Sequence, residues 1–119
     1  MVIGENVDVT FASHKLARLC SSYSALQKKY GERTAQRCIR VLDRLAFTTY
    51  LSGFVPMSKP ERCHELKGDR QGQLAMDIGE RWRLLFRPNQ QPLPRKPDGG
   101  LDWHAVTAII ITEISDHYD

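Results

Sequence analysis

The chain has 119 residues, 41% of them hydrophobic and 26% charged, a globular composition with too little length for a second independent core. Seventeen Lys/Arg against fourteen Asp/Glu give a net charge of +3, which permits a nucleic-acid partner without demanding one. No run approaches the roughly 18 apolar residues of a membrane span, residues 1–11 lack the basic start of a signal peptide, and three cysteines without C-x-x-C spacing exclude a disulfide scaffold or zinc ribbon. The expectation is one cytoplasmic domain over residues 1–119, with no membrane partner.

Val7, Val9 and Phe11 alternate with Asp8 and Thr10, the period of a short strand. Ser13 reads as an N-cap. Leu16, Leu19, Cys20, Tyr23, Leu26 and Tyr30 then recur at three- and four-residue spacing, which predicts one amphipathic helix stopped by Gly31. Ala35, Cys38, Ile39, Leu42, Leu45, Ala46 and Thr49 predict the apolar face of a second helix, with Arg33, Arg37, Arg40 and Arg44 mostly opposite. Gly53, Pro56 and Pro60 make residues 52–62 a loop, and residues 63–67 read as a short strand. Residues 68–72, GDRQG, are turn chemistry.

Leu74, Met76 and Ile78 alternate with Gln73, Ala75 and Asp77, and Gly79-Glu80 predicts a two-residue hairpin loop. The return strand carries Trp82, Leu84 and Phe86 on one side and Arg81, Arg83 and Arg87 on the other. Residues 89–102 hold Pro92, Pro94, Pro97 and Gly99-Gly100, a long irregular loop of the kind that often serves function. Residues 103–115 are apolar on both faces and predict an interior strand near the sheet centre. The order β-α-α-β-β-β-β is an α+β fold, with an N-terminal strand and helical hairpin packed on a mostly antiparallel sheet.

The sequence contains no P-loop, dinucleotide fingerprint, H-E-x-x-H or G-x-S-x-G motif. His14, His64, His104 and His117 are too dispersed to indicate a metal, and no cofactor is expected. Cys20 and Cys38 read as small core residues. Cys63 precedes His64 on a strand, which aims the two side chains apart. His64, Lys67 and Arg70 surround a tight turn, and Arg81, Arg83 and Arg87 share a strand face. Together they read either as a cationic concave surface for phosphates or as a solvated face. Asp116, His117 and Tyr118 bring an acid and a titratable histidine to the chain end, where a frayed terminus is the plainer reading. Charge is uneven: residues 1–60 carry +5, residues 61–96 carry +3, and residues 97–119 carry −5 with no basic side chain.

The run HELKGDRQGQLAMDIGERWRLLF, followed by W-x-x-V-x-x-I-I-I-x-E-I-x-D, resembles the HigB branch of the RelE/ParE superfamily of bacterial toxins. The upstream K-L-x-x-L-C and K-Y-G fit as well, so the resemblance spans nearly the whole chain, and PLPRKPDGGLDW is similar to an insertion in one subgroup. The resemblance implies a curved α+β sheet and a type II toxin neutralised by a cognate antitoxin, a HigA-like helix-turn-helix protein. It implies cleavage of mRNA on the ribosome without a metal, by attack of a ribose 2′-OH on the adjacent phosphorus. His64 and Lys67 match its H-x-L-K, Arg83 matches the arginine after tryptophan, and Asp116 begins its C-terminal triplet. Lys67 and Arg83 would then stabilise the phosphate, His117 or His64 would transfer protons with Tyr118 beside them, and Arg70, Arg81 and Arg87 would bind RNA backbone. Two departures stand out: the triplet reads Asp116-His117-Tyr118 rather than D-Y-H, and Ile78, beside Asp77, stands where an arginine is common. A ParE-like toxin acting on DNA gyrase and an inactive binding or regulatory member of the fold are the alternatives.

Overall fold

In the computed structural model, which describes residues 6–54, 57–79 and 81–116, strand β1 (Asp8–Phe11) leads into three helices: α1 (His14–Cys20), α2 (Tyr23–Tyr30) and α3 (Glu32–Ala46). The single helix expected over residues 14–30 is thus two. Ser13 caps α1 by accepting from the Leu16 N–H, as expected, but Ser22 starts a second helix by accepting from the Ala25 N–H. Each serine satisfies a backbone donor that a helix start leaves orphaned, so the chain can turn between them at little cost. Gly31 joins α2 to α3 at φ 93°, ψ 163°, a conformation essentially restricted to glycine. Helix α3 buries Thr34, Ala35, Cys38, Val41 and Leu45. Ala46 is exposed and Thr49 lies beyond the helix end, so Val41 completes the stripe in their place.

Strands β2 (His64–Glu65), β3 (Leu74–Asp77), β4 (Arg83–Pro88) and β5 (Ala108–Ser115) follow, and the sheet order is β1-β5-β4-β3-β2. Neighbours are antiparallel except β1, which runs parallel to β5. The architecture is the expected α+β arrangement with one additional helix. Between β4 and β5, Leu85 lies opposite Glu113 while Phe86 lies opposite Ile111, so Thr112 is an extra residue. Its hydroxyl donates to the Leu85 carbonyl at 3.2 Å. Such a bulge sharpens the local twist and curves the sheet.

Strand alternation divides the sheet into two unlike faces. Leu74, Met76, Leu84, Phe86, Ile109 and Ile111 meet Leu26, Ala35, Cys38 and Leu45 of the helices in one core. Each fully buried large side chain there stabilises the fold by about 1.5–3 kcal/mol. Residues of the opposite parity lie on a face that no helix among the described residues covers, where Leu66, Ala75 and Leu85 form a small separate cluster. The β3–β4 hairpin closes with the Ile78 N–H donating to the Trp82 carbonyl, which leaves three loop positions (79–81) instead of the expected two. Trp82 then meets Tyr30 edge to face, centroids 4.7 Å apart, and pins the hairpin end to α2.

Replacing Gly31 with Ala is expected to cost about 1–3 kcal/mol, and Ser22→Ala about 1 kcal/mol, both read from urea unfolding. A helix continuous through residues 21–22 would make Ser22→Ala neutral or stabilising instead.

Candidate functional site

The register arranges the open face in rows. His64, Ala75, Leu85 and Glu113 form one row across β2, β3, β4 and β5, and Asp77, Arg83 and Ser115 form the next toward the hairpin. Arg62, two residues before His64, extends that second row. Its backbone is left-handed at φ 47°, a conformation uncommon outside glycine. The Arg62 Nε–H donates to Asp77 Oδ2 at 2.5 Å, while Asp77 Oδ1 faces Arg83 Nε at 3.3 Å as an ion pair. Oδ1 is buried and has no well-angled hydrogen bond, so charge attraction to Arg83 is what balances it. The Asp77 and Arg83 side chains are only 14% and 13% exposed. One buried carboxylate is thus clamped between two guanidinium groups, a cluster of net charge +1, and it fixes the plane in which Arg83 presents its remaining donors.

Arg81 pairs with Asp116 at 3.2 Å and lies over the Trp82 ring, centroid 5.2 Å away. Both members of that pair are well exposed, so it contributes at most about 1 kcal/mol. Arg70, in the 3₁₀ turn Gly68–Arg70, reaches over β3 and β4 to Glu113 on β5 at 2.7 Å, crossing above the Leu66, Ala75 and Leu85 cluster. Arg83 and Arg87 share the open face of β4 as expected, while Arg81 lies in the turn before the strand.

Lys67 is exposed just past the far end of β2. Five residues along and two strands across separate it from Arg83, on the order of 15–20 Å between Cα atoms. His117 and Tyr118 lie outside the described residues.

These pairings correct the expected cationic surface. Arg62, Arg70, Arg81 and Arg83 each contact a carboxylate, because Asp77 and Glu113 have the same strand parity as the arginines and Asp116 closes the hairpin end. Among the described residues, the surplus positive charge sits on the helices: residues 13–46 hold eight Lys/Arg and two Asp/Glu. Asp77, Arg62 and Glu113 were not anticipated as site residues. A two-residue hairpin loop would set Asp77 opposite Trp82, whereas the actual loop shifts the register by one and sets it opposite Arg83.

The His64 ring is half-buried, with Nδ1 2.6 Å from the Arg62 carbonyl. A carbonyl can only accept, so Nδ1 carries the hydrogen and the neutral ring keeps its lone pair on Nε2. Cys63 points the other way into the core at 1% exposure, and burial, then the charges of Glu61 and Glu65, push its thiol well above the usual range. A Cys63–His64 dyad is therefore absent. Cys20 and Cys38 are buried, free thiols of the core, as expected. Among the described residues, no group of three His, Cys, Asp or Glu side chains is arranged to hold a metal ion, and no helix is long and apolar enough to cross a membrane.

No protein-family model and no curated protein matches the chain in sequence. Solved structures do match it in three dimensions. The YoeB/ParE toxin from Agrobacterium tumefaciens superposes with a TM-score of 0.50 over 95% of this chain and 99% of that one, at 14% identity. The YoeB dimer from Staphylococcus aureus gives 0.52 with the same coverages at 14% identity. The YoeB–YefM complex from the same organism gives 0.52, again with those coverages, at 13% identity. The chain has the fold of the YoeB/ParE toxins.

Asp77→Ala removes the counter-charge of a nearly buried guanidinium. The expected loss is about 3 kcal/mol, the lower end for a broken buried pair, measured by urea unfolding, with part of it restored by adding Arg83→Met. Equal stability of Asp77→Ala and the unmodified chain would dissolve the clamp. Iodoacetamide at pH 8 should leave Cys63 unlabelled in the folded protein and label it in urea, as read by mass spectrometry, because the raised thiol holds almost no thiolate at that pH.

Proposed function

We propose that this chain is the toxin of a type II toxin-antitoxin pair, an mRNA endonuclease of the HigB kind that acts on the ribosome and needs no metal. The observation that carries the reading is the open sheet face: an oriented Arg83 two strands from a histidine whose Nε2 lone pair is available. His64 Nε2 takes the proton from a ribose 2′-OH, which attacks the adjacent phosphorus. Arg83, held in plane by Asp77, donates to the phosphoryl oxygens as charge develops. Lys67 and Arg87 hold neighbouring phosphates, and His117 or Tyr118, which follow Asp116 in sequence, supplies the acid for the departing 5′-oxygen. The products are a 2′,3′-cyclic phosphate and a 5′-hydroxyl. The eight-to-two excess of basic over acidic side chains in residues 13–46 supports docking on the phosphate-rich ribosome. The YoeB–YefM complex supports an antitoxin partner, and the resemblance to HigB implies that it is a HigA-like helix-turn-helix protein.

One observation favours a second reading. Asp77 cancels one of the two arginine charges beside it, which suits a slow or inactive binding member of the fold. Induced expression separates the two. The endonuclease reading expects translation to stop before DNA synthesis and RNA fragments to end in cyclic phosphate. His64→Ala should slow cleavage about 10²–10⁴-fold and Arg83→Ala about 10²–10³-fold. Failure of replication first would indicate a gyrase-directed, ParE-like toxin, and no growth effect would indicate the binding member.

A further inference from the structure

The loop between β4 and β5 takes no part in the chemistry above, yet it is folded, and it builds a cleft against the free edge of the sheet. Within it the Asp102 N–H donates to the Pro94 carbonyl, the Lys96 N–H to Gly100 and the Gly99 N–H to Lys96, so residues 94–102 form a closed hairpin. Gln90 ties its base down, accepting from the Thr107 N–H at 2.7 Å and donating to the Ala105 carbonyl at 3.1 Å. This frame sets the 3₁₀ turn Trp103–Ala105, whose N-cap Asp102 accepts from the His104 N–H at 3.1 Å. Trp103 packs one side on the core and donates its indole N–H to Glu65 Oε2 at 3.2 Å, across 38 residues of sequence.

An open cleft of about 500 Å³ results, with His64, Glu65, Lys96, Asp102, Trp103 and His104 on its walls. Three flat aromatic or imidazole rings line it. Its one cation, Lys96, is offset by Asp98 at 3.8 Å, while Glu65 and Asp102 contribute two carboxylates. A phosphate would be repelled there. A planar heterocycle that stacks on aromatic rings and offers N–H donors to carboxylates would be held. Nucleobases are that chemistry, and guanine fits best, because its adjacent ring N–H and amino group meet a carboxylate in two parallel hydrogen bonds. Adenine and cytosine offer an amino group beside an acceptor, and uracil flanks its single N–H with two carbonyls that a carboxylate repels.

We infer that this cleft is a nucleobase subsite that prefers guanine and seats one base of an RNA strand whose backbone passes His64 onto the open face. The RNA strand rests on the endonuclease reading, whereas the base preference can be tested apart from it. In a Trp82→Phe background, Trp103 is the remaining tryptophan, and its fluorescence is titrated with GMP, UMP and ribose 5-phosphate. GMP should perturb it and bind at least tenfold more tightly than UMP, and ribose 5-phosphate should do nothing. Asp102→Asn and Glu65→Gln keep the N-cap and the acceptor for Trp103, and each should weaken GMP about tenfold. Trp103→Leu, followed by calorimetry, should weaken it roughly ten- to hundredfold. If Trp82→Phe does not fold, calorimetry on the unmodified chain reads the same three ligands. Equal binding of GMP and UMP, a response to ribose 5-phosphate, or no binding at millimolar GMP overturns the subsite even if RNA is cleaved. GMP selectivity in a chain that cleaves no RNA upholds the subsite and removes the endonuclease.

Discussion

Everything in this protein depends on the alternation along β4. Leu84 and Phe86 point into the face that the helices cover, and Arg83, Leu85 and Arg87 point to the opposite face. A slip of one residue would expose two core side chains and drive an arginine toward Leu26 and Leu45. Burying an unpaired guanidinium costs several kcal/mol, more than any single apolar contact returns. The register is therefore set by the same energetics that form the core, and the site inherits its geometry from that register.

On the open face, charge is managed by pairing rather than by accumulation. Asp77, Glu113 and Asp116 each meet an arginine, and the pairs differ in weight with their burial. The Asp77–Arg83 contact is nearly dry and holds its partners in place. The Arg81–Asp116 contact is wet and worth little. A guanidinium held by a neighbouring acid gives up some net attraction for phosphate and gains a fixed direction, which favours a developing charge over a ground-state one. Among the described residues the helices carry the uncompensated positive charge, on the side of the sheet opposite the paired arginines.

The similarity to the YoeB/ParE toxins spans almost the whole chain at 13–14% identity, so what the structures share is a way of packing three helices on a curved sheet. A fold of this kind presents its open face as a platform, and the chemistry depends on which side chains occupy it. Here the occupants include a carboxylate at residue 77 and a folded proline- and glycine-rich loop that brings Trp103 beside the edge strand.

The local elements were legible in the order of amino acids alone, because their signals act within about four residues. The period-two and period-3.6 patterns placed β1, β3, β4 and the apolar faces of the helices, an apolar run on both faces placed β5, Ser13 and Gly31 marked helix ends, and the loop over residues 89–102 was legible from its prolines and glycines. Ser22 carried the same local signal as Ser13 and was readable as a second cap. What those elements bring together was set by packing. The parallel pairing of β1 with β5 joins residues about a hundred positions apart, the Arg62–Asp77–Arg83 clamp turns on one residue of hairpin length, and Trp103 meets Glu65 only after the loop has folded back. Periodicity reports which side of an element is apolar, whereas an ion pair between distant elements depends on register, and register is fixed only when the whole core packs.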